Sequence, residues 1–446
     1  MSQKEHAEVV ICGAGIAGIA TAYTLAQRGV QQIVLIDERP ALSLTSDKST
    51  ECYRDFWPGP GNAMVGLMGR SIDILEELAR KSENVFGMNQ RGYLYVTRSA
   101  AGANALLASA QAAAALGAGP LRVDMPYGAA LRGADFIRDQ GVIRQHFPYL
   151  ADDVSAVLHA RRCGWLSAQQ LGMYLLAEAR ALGVRFIAGH LEGVDVQNAA
   201  IQAVHVTTAE QSLRITTARF VNCAGPLLAS VGHMLGLELP VFSERHIKLA
   251  FEDRLNIVPR HAPMVINADP VLLDWTEEER ELLSEDTETA LLLGELPAGA
   301  HLRPEGEGAS SWVLALWAYD AVPVPEVFPV PLSEQFPDIV MRGNAAIMPG
   351  LQAYVERPPR PVLDGGYYTK TRENRPLIGP LPVQGTYVLG ALSGYGIMAA
   401  CGAADLLAQH ILGTALPEYA AAFAPSRYDD PAYQELLAHW GDTGQL

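Results

Sequence analysis

Three things are scarce in this sequence. Cysteine is the first: Cys12, Cys52, Cys163, Cys223 and Cys401 are odd in number, widely scattered and nowhere spaced as C-x-x-C. That excludes a disulfide framework and a zinc knuckle, and it suits a reducing compartment, so a cytoplasmic location is expected. Long apolar runs are the second. None approaches the ~20 residues that a spanning helix needs, and the polar stretch Met1–Glu8 is too short for a signal peptide. Positive charge is the third. Against 49 Asp+Glu stand 33 Lys+Arg, a net −16 at pH 7, which repels nucleic acid and anionic bilayers on average. There is also no internal repeat, no nucleophile triad and no cluster of metal-ligand spacing, so no metal is expected.

What is present is a globular composition. Of 446 residues, 49% are hydrophobic, enough for a large core and two domains. The opening is the most informative stretch. Val9-Val10-Ile11-Cys12 is an apolar run, followed by Gly13-Ala14-Gly15-Ile16-Ala17-Gly18 and then by a helix-period segment through Arg28 that Gly29 ends. A second apolar run, Ile33–Ile36, leads into Asp37. In such a unit Gly13 permits the tight turn, Gly15 lets the backbone approach a pyrophosphate and Gly18 lets helix and strand pack together. The helix N-terminus supplies free N–H groups, and Asp37 accepts from ribose hydroxyls. By itself this fingerprint leaves FAD and NAD as alternatives.

Further along, helices are expected over residues 70–82, 102–115 and 166–182, and strands over 93–96 and 184–188. Alternation from Val194 to Val221 reads as meandering strands ending in Asn222-Cys223-Ala224-Gly225-Pro226. From Leu239 to Pro361 prolines and short strands dominate, and the acidic Trp275–Asp286 reads as an exposed helix or lid. After Asp364 the chain returns to Gly-rich strand and helix.

The turn Cys223-Ala224-Gly225, the segment Arg375-Pro376-Leu377-Ile378-Gly379-Pro380 and the loop Gly390–Ile397 together resemble the FAD-dependent amine oxidoreductases of the D-amino-acid oxidase type. The sarcosine and glycine oxidase branch, with the dimethylglycine dehydrogenases, is the nearest in flavour. The resemblance covers most of the chain in order. It implies an α/β fold: a Rossmann-like FAD domain of the glutathione-reductase/D-amino-acid-oxidase type plus an α+β substrate domain with a mostly antiparallel sheet. The FAD domain is then discontinuous, 1–95, 150–238 and 362–446, with 96–149 and 239–361 as the substrate domain. Gly13, Gly15, Ile16, Ala17, Gly18, Asp37 and Glu38 would hold the ADP half. Arg39, Ser46, Lys48 and Ser49 would surround the pyrophosphate and the flavin edge, and Val194 would face adenine. Ala224, Gly225 and the loop Gly394, Tyr395, Gly396, Ile397, Met398 would close on the flavin. A helix N-terminus at that loop would stabilise negative charge on a reduced flavin by ~0.3–2 kcal/mol.

Three departures refine this picture. Gly365-Gly366 stand where some relatives carry a flavin-linking cysteine, so FAD is expected to be non-covalent. Arg54 occupies the place of an arginine that clamps a substrate carboxylate, while Met398 replaces the companion lysine. The strand Ser311–Leu316 lacks the lysine that oxidases place over the flavin. Either oxygen is then a poor acceptor, which makes the enzyme a dehydrogenase, or another cation such as Lys248, expected on one strand face with His246, serves instead. His301, near a tyrosine that lines the pocket in relatives, and Tyr368 complete the candidate catalytic set. The implied reaction is oxidation of the C–N bond of a small amine or amino acid by hydride transfer, giving an imine that hydrolyses, with oxygen or another carrier taking the electrons. The alternatives are a flavin-dependent hydroxy-acid dehydrogenase, and a flavin-bearing subunit or assembly factor without its own catalysis.

Overall fold

A computed structural model describes residues 3–306, 308 and 310–441. Two nine-stranded sheets organise the chain. The first is built around parallel strands Ile33–Asp37, Val9–Cys12, Phe220–Asn222 and Thr386–Gly390. Their residues Val9–Cys12 and Ile33–Ile36 are buried on both faces, which is why they read as continuous apolar runs instead of alternating ones. Helices Ile16–Gln27, Ala63–Lys81, Ala168–Ala181 and Gly396–Leu412 share one core with this sheet, through Ile19, Leu25, Leu67, Leu171, Ala400 and Leu407.

The strand expected at 184–188 and the start of the expected meander are one strand, Arg185–Gln197. It pairs in parallel with Ile33–Asp37 at its beginning and antiparallel with Ala200–Thr208 at its end. The change of partner explains the change of sequence texture. The helix expected from residue 70 starts earlier, at Ala63, just beyond the turn that holds Gly59 and Gly61.

The second sheet is mostly antiparallel and runs, edge to edge, through Val362–Lys370, Phe242–Glu252, Trp312–Leu316, His301–Pro304, Met264–Asn267, Tyr93–Thr97, Ala156–Ala160, Ala134–Ile137 and Leu121–Val123. Its strands Tyr93–Thr97, Ala156–Ala160 and Val362–Lys370 draw on stretches expected in the FAD domain. Each of these strands follows its pairing partner and not its neighbours in sequence. The acidic stretch forms an exposed helix, Glu277–Ser284, with a capping box of Thr276 and Glu279. It is pinned: Arg342 bonds Glu279 at 2.6 Å and lies 4.2 Å over the Trp275 ring. Among the described residues no helix is long and apolar enough to cross a membrane.

Candidate cofactor and substrate site

The turn after Val9–Cys12 is a place where only glycine fits. Gly13 holds φ +106°, and a Cβ there would stand 2.3 Å from the Cys223 carbonyl oxygen. A Cβ on Gly18 would stand 1.8 Å from the Gly13 carbonyl oxygen. Helix, turn and the 223–225 segment thus meet backbone to backbone. The helix Ile16–Gln27 has no side-chain cap of its own at Gly15, so its first amides are met by other groups. The Ile16 N–H donates to Ser46 Oγ at 2.9 Å and the Ala14 N–H to Asp37 Oδ2 at 2.7 Å. Burial raises the Asp37 carboxyl, opposed by hydrogen bonds from the Ala14 and Arg39 amides.

These groups line a channel. Gly13, Gly15, Ile16, Ala17 and Asp37 form one wall, and Ser46 and Ser49 a second. Ala224 and Gly225 close it, with Gly394, Gly396 and Ile397 at the far end. There the buried helix Gly396–Leu412 begins without a side-chain cap. Ala391 and Ser393, just before it, hold φ of +53° and +50°, a conformation that costs non-glycine residues energy and persists only where its surroundings impose it. The Ser393 hydroxyl is buried and has no hydrogen-bond partner among the described residues.

A second cavity, of about 780 Å³, adjoins the channel. Ser49, Tyr368 and Gly394 border both spaces. Arg54, on the strand Cys52–Arg54, is buried there. Its guanidinium donates to the Tyr95 hydroxyl at 2.9 Å and lies 4.3 Å over the Trp57 ring. His301 is buried on the opposite sheet, its Nδ1–H donating to the Gly299 carbonyl at 2.8 Å, with Nε2 3.5 Å from Thr50 Oγ1. Burial lowers its pKa to about 4, reinforced by the nearby His246, Arg303 and Arg54 against the Gly299 bond, so the ring is neutral. Tyr395 and Met398 line this larger cavity.

Several expected residues lie elsewhere. Val194 sits opposite Val204 in the strand pair and packs into the apolar cluster beneath it, lining neither cavity. Glu38 pairs with Arg39 at 2.8 Å and His190 at 2.6 Å, and Arg39 lies 4.9 Å over the Phe328 ring. Lys48 bonds Asp364 at 2.8 Å and Asp47 at 3.1 Å. Gly18 serves packing and does not line the channel. Lys248 is also outside both cavities, its ammonium donating to the Asp47 carbonyl. Sequence reasoning missed three groups on the larger cavity, Glu244, His246 as a site residue, and Lys370. The alternation that placed His246 and Lys248 on one strand face was the one available signal. Among the described residues no group of three or more His, Cys, Asp or Glu is placed to hold a metal.

A family model described as FAD dependent oxidoreductase matches residues 8–410. The chain belongs to this family. Human mitochondrial dimethylglycine dehydrogenase is 24% identical over 433 residues, 95% of this chain and 45% of the relative, and the rat protein matches equally. The chain thus spans under half the length of these curated relatives. Among solved structures, L-proline dehydrogenase from P. horikoshii superposes with a TM-score of 0.73 at 18% identity, covering 96% of this chain and 98% of that one. Glycine oxidase from Geobacillus kaustophilus gives 0.72 at 15% identity, covering 96% and 99%. These likenesses bear out the expected D-amino-acid-oxidase type of fold.

The family's cofactor is FAD, and the channel suits it. The glycine turn brings Gly13 and Gly15 to the channel wall, two helices begin on it without a cap from their own N-cap side chains, and the partnerless Ser393 hydroxyl lines it. When bound, FAD supplies a two-electron acceptor for a hydride.

Proposed function

We propose that this chain oxidises the C–N bond of a small amine or amino acid, with non-covalently held FAD as the immediate acceptor. The observation that carries this reading is the large cavity that shares Ser49, Tyr368 and Gly394 with the cofactor channel and has a buried guanidinium on its wall. Arg54 remains charged at any working pH and presents a planar fork of donors suited to a carboxylate. The relatives named for dimethylglycine, proline and glycine all take substrates that combine an amine with a carboxylate. The wall of Tyr93, Tyr95, Phe56 and Trp57 offers an apolar, cation-tolerant surface for the amine's substituents.

The chain's own contribution is orientation and dryness. Arg54 holds one end of the substrate, Tyr368 borders the junction where the reacting carbon must lie, and the sheet face behind them excludes water. The glycine pair supports non-covalent binding: a Cβ on Gly366 would stand 3.0 Å from the Lys48 Cβ, so this strand lies directly against the loop that borders the channel.

The test is anaerobic titration of the FAD-loaded protein with secondary amines, N-methyl amino acids, D-amino acids and 2-hydroxy acids. Bleaching of the visible flavin band by at least one amine is the expected result. Bleaching by hydroxy acids alone, or by nothing in the panel, overturns the proposal.

A further inference from the structure

The strand Phe242–Glu252 brings a second imidazole to the larger cavity, in a setting unlike that of His301. His246 is buried, and its ring stacks on Tyr368 with centroids 3.9 Å apart and planes at 18°. Tyr368 borders both the channel and the cavity, and His246 lines the cavity beside it. Its Nε2 lies 3.2 Å from Glu244 Oε2. Glu244 in turn receives two hydrogen bonds from the Lys370 ammonium, at 3.1 and 3.0 Å. Burial would raise the Glu244 carboxyl, but the His246 bond and Lys370 outweigh it and hold it below its ordinary range. An ionised carboxylate only accepts, so the proton of a neutral His246 is on Nε2. The other nitrogen, Nδ1, then carries a lone pair. It is buried, on a residue that lines the cavity, and has no partner among the described residues.

We infer that His246, oriented by the Glu244–Lys370 pair, is the catalytic base that takes the proton from a substrate ammonium before the C–N bond is oxidised. This rests on the amine-oxidising reading above and assigns the proton's destination within it. The N–H bond of the ammonium breaks and an Nδ1–H bond forms. The amine nitrogen keeps the electron pair it needs to become an imine nitrogen, and no oxidation state changes. The resulting imidazolium is paired at once with the Glu244 carboxylate.

His301 lacks that arrangement. Its Nδ1 faces the Gly299 carbonyl and its Nε2 faces the Thr50 hydroxyl, so a charge formed there meets dipoles and the positive field of Arg303 and Arg54. For His246 the facing groups are Glu244 on its own strand, Tyr368 and Lys370 on the neighbouring strand, Asp320 beyond it, and His301 nearby. Burial lowers the His246 pKa, with Glu244 and Asp320 opposing and Lys370 adding to the fall. The same burial and the Arg54 charge penalise a substrate ammonium as well, so donor and acceptor are both disfavoured as cations and the Glu244 carboxylate is the group that favours charge on His246.

His246→Gln keeps a ring-sized polar side chain and removes the base. The FAD-loaded variant and wild type are mixed anaerobically with an amine that bleaches the wild type, from about pH 6 to about pH 9, and the reduction rate is followed. For wild type the rate is expected to be flat across neutral pH. For H246Q it falls roughly 100-fold at neutral pH and rises tenfold per pH unit, because only amine already deprotonated in solution reacts. The affinity for an amine with no hydrogen on the carbon beside nitrogen, read by perturbation of the flavin spectrum, follows the same slope. An H246Q profile that parallels wild type, or a loss that high pH does not restore, overturns the inference while leaving the proposed function standing. A wild type that no amine bleaches overturns both.

Discussion

Gly18→Ala sets two rules of helix chemistry against each other. Inside a helix the change to Ala favours folding by roughly 1 kcal/mol. Here the new Cβ would sit 1.8 Å from the Gly13 carbonyl oxygen, while real Cβ contacts almost never come under 3.0 Å. Subtracting the two, the helix must withdraw by at least 3.0 − 1.8 = 1.2 Å from a backbone atom that has no freedom to yield. Overpacking of this kind costs about 1–3 kcal/mol, so the protein is expected to lose up to about 2 kcal/mol net. The larger effect falls on FAD. The withdrawn helix carries the amides of the glycine turn with it, and losing one charge-assisted hydrogen bond of about 1.5–3 kcal/mol weakens binding by roughly 10- to 100-fold. The control is Gly69→Ala in the helix Ala63–Lys81, where a Cβ meets nothing within 4 Å. It is expected to raise the melting temperature and leave FAD untouched. FAD titration of the apoprotein, flavin-to-protein absorbance after gel filtration, and thermal melts measure both. A G18A protein with full FAD content, unchanged affinity and a melting temperature at or above wild type refutes the reasoning.

Arg54→Gln keeps a donor but removes the charge, and is expected to weaken binding of carboxylate-bearing substrates and inhibitors by about 10- to 100-fold. Uncharged amines should be little affected, a contrast read by flavin perturbation titrations. The buried Glu51 is a pH-dependent liability: desolvation pushes its carboxyl up to about 7 despite Arg303 and Lys248. A carboxyl raised in the folded state binds more protons there than in the unfolded chain. Stability should therefore fall as pH rises from its unfolded value near 4.5 towards about 7. Glu51→Gln should flatten that decline in denaturant melts, and an unchanged pH slope would count against the assignment.

The glycine turn, Asp37 and the Gly394–Ile397 loop were legible because each expresses a local backbone demand: a close approach, a strand end, a helix start. Lys248 was misread for a different reason. Alternation gives the face on which a side chain stands, but not what lies across from it, and the 45–48 loop brings the Asp47 carbonyl to that ammonium. The Glu244–His246–Lys370 group was hidden by pairing at a distance. Glu244 and Lys370 are 126 positions apart, and only the antiparallel register of Phe242–Glu252 with Val362–Lys370 brings them together. Val194, expected only from the family resemblance, lies in the antiparallel half of a strand that changes partner midway.

Because Ser49, Tyr368 and Gly394 belong to both spaces, whereas Leu106, Ile266 and Ala318 touch only the larger one, the two groups make unequal targets for directed evolution. A library at Leu106, Ile266 and Ala318 can reshape which molecule is accepted while the prosthetic group stays seated. Changes at the shared trio alter selectivity and redox behaviour in a single stroke.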